Sequence, residues 1–192
     1  MNYEVFILVP NILTSFRIVS IAAIVVCFYI RNNFASWLAA ALFILACLTD
    51  FLDGFIARHW NQGSKLGQLL DPIADKLLVV VTILMLTEAG KISSFELIPA
   101  ITIVMREILI SGVREYLSSV GKELPVNKLS KCKTFIQMMS MVLLILSDVS
   151  LSHYPQEMHS VGIISLWIAA IITTVSGVGH LIAGLSYISS KN

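Results

Sequence analysis

The sequence predicts an all-α fold, a polytopic membrane protein with six transmembrane helices and a short N-terminal interfacial helix. Composition is the first reason. Of 192 residues, 57% are hydrophobic and 13% charged, whereas a soluble domain carries about 25% charged residues. So few polar side chains cannot clothe a globule of this size. The second reason is distribution, since the apolar residues form near-continuous runs and a span needs about 20 such residues. Mean hydropathy is +0.85. The net charge of +1 argues neither for nor against nucleic acid.

The elements follow in order. Tyr3 to Val9, before Pro10-Asn11, reads as an interfacial helix followed by a break. Met1–Pro10 lacks a basic region and a small-residue cleavage site, so it is not expected to be a removable signal. The six spans are predicted over Thr14–Ile30, Ala35 to about Arg58, Leu69–Ala89, Phe95–Leu117, Lys133–Leu151 and Val161–Ile188. Each should be helical, because lipid forces backbone polar groups to be satisfied within the segment. Connections are short, so residues 1–192 are expected to form one domain.

Charge sets the orientation. With six spans, one side collects Arg58, Lys65, Arg114, Lys122, Lys128, Lys131, Lys133 and Lys191, and the other only Arg31 and Lys91. The positive-inside rule therefore places both termini and the two long basic connections in the cytoplasm. Cys27, Cys47 and Cys132 have no metal-ligand spacing and read as inert thiols. His153 and His159 fall in an outer connection and are expected to be solvated. His180 lies among glycines in the sixth span and is expected to bond internally.

Asp50 and Asp53 interrupt an apolar run. An aspartate at membrane depth costs about 2.5–3.5 kcal/mol on insertion scales, so it usually faces a polar interior and a functional partner. They stand three apart on one helix face, and Asp71 and Asp75 stand four apart on the next helix. Four converging carboxylates repel unless cations neutralise them, and hard divalent ions such as Mg²⁺ or Mn²⁺ suit oxygen ligands. Gly54 clears space beside Asp53, and Arg58, one turn on, can grip a phosphate bidentately. Gly67 offers a further close approach or a turn. Two metals about 3.5–4 Å apart would clamp a phosphoryl displacement. The bland alternative has the carboxylates pairing with Arg58, Lys65 and Lys76, which accounts for one or two aspartates but not four at this spacing.

The pattern Asp50-x2-Asp53-Gly54-x2-Ala57-Arg58-x8-Gly67-x3-Asp71-x3-Asp75 resembles the signature of the CDP-alcohol phosphatidyltransferase family at every defined position. The resemblance implies a six-helix membrane fold, usually dimeric, with a cytoplasmic active site. It implies that Asp50, Asp53, Asp71 and Asp75 hold two metal ions and that Asp75 is the general base. Gly54 and Arg58 would contact the CDP moiety of CDP-diacylglycerol, with Gly67 on the same stretch. Asn11, Thr14 and Ser64 correspond to further nucleotide contacts.

A second polar stretch bears on the acceptor. Arg106 sits within an apolar span, Arg114 projects from a similar face eight residues later, and Lys128, Lys131 and Lys133 follow. This is more positive charge than a neutral alcohol needs, and it suits an acceptor carrying phosphate. The alternative is that Arg106–Glu107 and Arg114–Glu115 are structural pairs, with the lysines on anionic membrane lipids. Arg106-Glu107-Ile108, Arg114-Glu115-Tyr116-Leu117, Pro125-Val126 and Lys131-x-Lys133-Thr134-x2-Gln137-Met138 resemble the bacterial branch of the family that uses sn-glycerol 3-phosphate. From their charge, Arg106, Arg114, Lys131 and Lys133 are expected to form the acceptor-phosphate site. The branch resemblance implies a bacterial inner membrane, and the family resemblance a homodimer. Ser130-Lys131 departs from the Gly-Lys of many relatives. Open alternatives are another acceptor (that of a cardiolipin, phosphatidylserine or phosphatidylinositol-phosphate synthase), a two-metal phosphatase, and a cation transporter. A transporter would be expected to show repeat halves around a midplane site, and none is visible.

Overall fold

The structure is a computed structural model. It describes the backbone of residues 3–60, 65–121, 128–147, 149 and 155–189, and the side chains of residues 14–49, 70–121, 132–147, 149, 155–179 and 181–182. The described residues are all-helical, with α1 (Tyr3–Ile30), α2 (Asn33–Trp60), α3 (Lys65–Glu88), α4 (Leu97–Ser119), α5 (Lys128–Leu146), α6 (Pro155–Ser189) and a 3₁₀ turn at Ser94–Glu96. No strand occurs among them.

The six apolar runs each became one helix, but several ends differ: α5 stops at Leu146, short of Leu151, and α6 begins at Pro155, ahead of Val161. The break expected at Pro10-Asn11 is absent, because α1 continues unbroken from Tyr3 to Ile30. Proline removes only one helical hydrogen bond, and the apolar residues on either side keep the neighbouring turns helical. Helices α3 and α5 also begin earlier than their apolar runs, at Lys65 and Lys128. Polar residues extend a helix into its solvated end as readily as apolar ones.

Helix α6 packs along both α4 and α5, while α1 packs on α2 and α3, and α2 on α5. The shared core includes Ile24, Phe43, Leu86, Ile103, Leu144 and Leu166, all essentially inaccessible. Helices α3 and α4 touch along only a short stretch, which leaves room between them. At the end where α3 passes to α4, Gly90 adopts φ +73°, and the Lys91 amide caps the Leu86 carbonyl at 2.9 Å. Here His159 corrects the expectation that it is solvated. It is half-buried, and its Nε2 lies 2.9 Å from the Lys91 carbonyl oxygen. His153 and the side chain of His180 lie outside the described residues.

The outer surface is apolar. Val19, Leu84, Ile171, Val175 and Ile182 are each 60% or more exposed, whereas Thr14, Arg17, Lys133, Gln137, Ser140 and Thr173 are buried. Large exposed apolar side chains on all six long helices suit a surface made for lipid or a partner. Pro155–Gly179 of α6 is long and apolar enough to cross a membrane, at hydropathy 2.1. Thr14–Ile30, Asn33–Thr49 and Cys132–Leu146 are shorter apolar stretches among the described residues.

Gly162 sets the α5–α6 spacing. A Cβ there would lie 2.9 Å from Leu144 Cγ and Cδ2, and the Gly162 carbonyl accepts from Ser140 Oγ at 2.7 Å. Gly162→Val is expected to force the helices apart and destabilise by about 1–3 kcal/mol, the usual scale of overpacking. Thermal unfolding in detergent would register this as a lower midpoint, and an unchanged midpoint would rule out close packing here.

Candidate active site

The space between α3 and α4 is a cavity of about 620 Å³. It lies where α3 begins and α4 ends, the end that carries the two basic connections. From α3 it is lined by Asp71, Pro72, Asp75 and Lys76. Spacings of four bring these residues to one side of the helix on successive turns. From α4 it is lined by Arg106, Glu107, Ser111, Arg114 and Ser118, among others, above the buried Ile110. Residues 107, 111, 114 and 118 recur at steps of four and three, a single stripe along α4. The α3 wall therefore carries two carboxylates, and the α4 wall presents two arginines, Arg106 and Arg114, each beside a glutamate, Glu107 and Glu115.

The acidic wall is braced from α1. Thr14, buried on α1, donates its hydroxyl to Asp71 Oδ1. Arg17, one turn further along α1, is also wholly buried. Pro72 has no N–H for the helix ladder, and its own carbonyl accepts from Lys76 Nζ at 2.6 Å. Asp71 and Asp75 are both half-buried. Two carboxylates on successive turns facing one cavity are oxygen donors of the class that divalent cations take. No group of three His, Cys, Asp or Glu converges among the described residues, and the side chains of Asp50 and Asp53 lie outside them.

On the basic wall, Arg106 is largely enclosed. Its Nη2 lies 3.3 Å from Ser176 Oγ of α6, and its Nη1 lies 3.9 Å from Glu107 Oε2. Glu107 bonds more closely to Lys133 of α5 through Oε1. Lys133 is only 3% exposed and sits behind Glu107, not on the cavity wall. Its ammonium is within electrostatic reach of Asp75. Arg114 is exposed where it borders the cavity. Gln137, one turn along α5 from Lys133, is buried.

Of the residues singled out in the sequence, the structure thus brings together Asp71, Asp75, Thr14, Arg106, Arg114 and Lys133. Asn11, Asp50, Asp53, Gly54, Arg58, Gly67 and Lys131 are placed by backbone only, on α1, α2, α3 and α5, and Ser64 lies outside the described residues. Sequence reasoning missed Glu107 as the partner of Lys133, and it missed Ser111, Ser118 and Ser176. The α4 stripe was legible as a spacing of polar residues, but Ser176 was not, since a serine in an apolar helix carries no charge anomaly.

The sequence profile of the CDP-alcohol phosphatidyltransferase family matches residues 7–175. The chain is 43% identical over 178 residues to the CDP-diacylglycerol–glycerol-3-phosphate 3-phosphatidyltransferase of Rickettsia felis, covering 93% of this chain and 96% of that protein. The protein of the same description from Rickettsia prowazekii is 44% identical over 178 residues, with the same coverage of both chains. That from Salmonella choleraesuis is 36% identical over 177 residues, covering 91% and 93%. The chain therefore belongs to the CDP-alcohol phosphatidyltransferase family.

Proposed function

We propose that the chain transfers the phosphatidyl group of CDP-diacylglycerol to sn-glycerol 3-phosphate, giving phosphatidylglycerophosphate and CMP. The observation that carries this reading is the cavity, where Asp71 and Asp75 face Arg106 and Arg114. An acceptor with a hydroxyl at one end and a phosphate at the other fits a cavity with two carboxylates on α3 and two arginine forks on α4. In this reading the arginines grip the acceptor phosphate. Lys133, behind Glu107, and Lys131, two positions earlier in sequence, add positive charge at longer range, and Asp75 takes the proton from the acceptor's free primary hydroxyl. The resulting oxygen attacks the phosphorus that bears the diacylglycerol, and the bond to CMP breaks. Gly54, Gly67 and Arg58 would receive the CDP moiety, with Asn11, Thr14 and Ser64 as further contacts. Asp50, Asp53, Asp71 and Asp75 would hold two Mg²⁺ or Mn²⁺ ions, which supply charge neutralisation on the diphosphate and the leaving CMP.

The reading includes six membrane spans with the site and both termini cytoplasmic, in a homodimer of the bacterial inner membrane. Helices of 19 to 35 residues have the length to cross about 30 Å of hydrocarbon. The apolar exterior and the basic connections flanking the cavity end support the orientation. The resemblance to the CDP-alcohol phosphatidyltransferase family supports the dimer.

Purified protein in detergent with Mg²⁺ and CDP-diacylglycerol is expected to release CMP with glycerol 3-phosphate. It is not expected to do so with serine, inositol phosphate, phosphatidylglycerol or water. EDTA should abolish the release, and added Mg²⁺ or Mn²⁺ should restore it. Release with a different alcohol alone would reassign the acceptor. Release with water alone would make the chain a hydrolase. Full activity in EDTA would sink the metal assignment.

A further inference from the structure

We infer that Ser176 and Gly177 of α6 are positioning residues that seat the Arg106 guanidinium for the acceptor phosphate. The inference rests on the reading of Arg106 as a ligand of that phosphate. Arg106 lines the cavity, yet its side chain is only 13% exposed, and α4 alone does not fix where its long chain ends. Helix α6 does so in two ways. Ser176 Oγ donates its one proton to the Thr173 carbonyl at 3.1 Å, which leaves its lone pairs to accept from Arg106 Nη2 at 3.3 Å. At Gly177, a Cβ would stand 3.1 Å from Arg106 Cγ and 3.3 Å from Nε. The glycine is the space in which the arginine lies.

The guanidinium is thus held between α6 on one side and Glu107, at 3.9 Å from Nη1, on the other. Among the described residues its buried Nε has no hydrogen-bond partner. A planar fork held from two sides can meet a phosphate in only one orientation, whereas a lysine would supply a point charge without that geometry. Neither Ser176 nor Gly177 lines the cavity, so both act through Arg106 and not on substrate.

The test is steady-state kinetics on the full-length protein in detergent, with both substrates varied, for wild type, Ser176→Ala, Gly177→Ala, Arg106→Lys and Ser176→Ala/Arg106→Lys. Ser176→Ala is expected to raise KM for glycerol 3-phosphate roughly tenfold, the scale of one hydrogen bond to a charged group, and Gly177→Ala is expected to raise it as well by pushing the Arg106 chain aside. KM for CDP-diacylglycerol should not move. In the Arg106→Lys background, Ser176→Ala should add nothing, because coupled residues are non-additive. Ser176→Ala removes one oxygen without adding volume, so it decides the matter alone if Gly177→Ala does not fold. An unchanged acceptor KM, an equal rise in both KM values, or an additive double mutant would overturn the inference and leave the proposed reaction standing. A wild-type protein that releases no CMP with glycerol 3-phosphate would remove the reaction and the inference together.

Discussion

Asp75→Asn is expected to lower CMP release by about 10²–10⁴-fold, the share that a positioned general base supplies, while CDP-diacylglycerol still binds. Asparagine keeps the size and one oxygen of aspartate but cannot take up the acceptor's proton. Of the four carboxylates that line the cavity, two, Asp71 and Asp75, stand on α3, and the structure separates their surroundings. Asp71 accepts the Thr14 hydroxyl, so α1 fixes its orientation. Asp75 lies one turn further along α3, within electrostatic reach of Lys133 and across the cavity from the arginines that would hold the acceptor. The hydroxyl of an acceptor gripped by its phosphate on α4 therefore points toward α3. Rate measurements on Asp75→Asn and Asp71→Asn, with Mg²⁺ titrated in each, distinguish the roles. Full activity in Asp75→Asn would remove it as the base. If excess Mg²⁺ restored the rate, Asp75 would be a metal ligand only.

Much of this was legible in the sequence because charge inside an apolar run is costly and so conspicuous. Arg106 stands out for that reason, and Asp71 and Asp75 by their helical spacing, and the structure lines one cavity with all three. Helix number was legible for a related reason, since apolar runs of span length have few other uses. Helix ends were not. Lys65 and Lys128 start α3 and α5, and hydropathy is blind to polar turns that remain helical. Pro10 reads locally as a stop, yet α1 passes through it.

Partnerships across the fold were the least legible. Arg106 and Glu107 are sequence neighbours and pair only at long range, because adjacent residues on a helix project in different directions. Their closest approach is 3.9 Å, and the close partner of Glu107 is Lys133, 26 positions away. Thr14 meets Asp71 across 57 positions. Such contacts depend on how helices pack, and helical periodicity does not encode that.

Glu107→Ala is expected to lower stability by about 3 kcal/mol, the lower end of the range for removing one partner of a buried ion pair. The asymmetry of the pair sets this figure. The Lys133 side chain is 4% exposed and that of Glu107 is 20% exposed toward the cavity. Water therefore screens the carboxylate in part, but it barely reaches the ammonium. Without Glu107 the lysine is left charged in a protein interior where Arg106 and Lys133 already repel one another. Replacing both partners removes the problem at its source. Glu107→Ala/Lys133→Met should recover most of the lost stability, since apolar pairs of similar volume often match or exceed a buried ion pair. The same double variant should remain poor in acceptor use, because the positive charge near Asp75 is gone. Thermal unfolding in detergent separates the two effects, with CMP release measured alongside. If Glu107→Ala unfolds at the wild-type midpoint, Lys133 is not held by this carboxylate. If the double variant is no more stable than Glu107→Ala, the loss comes from packing and not from an uncompensated charge.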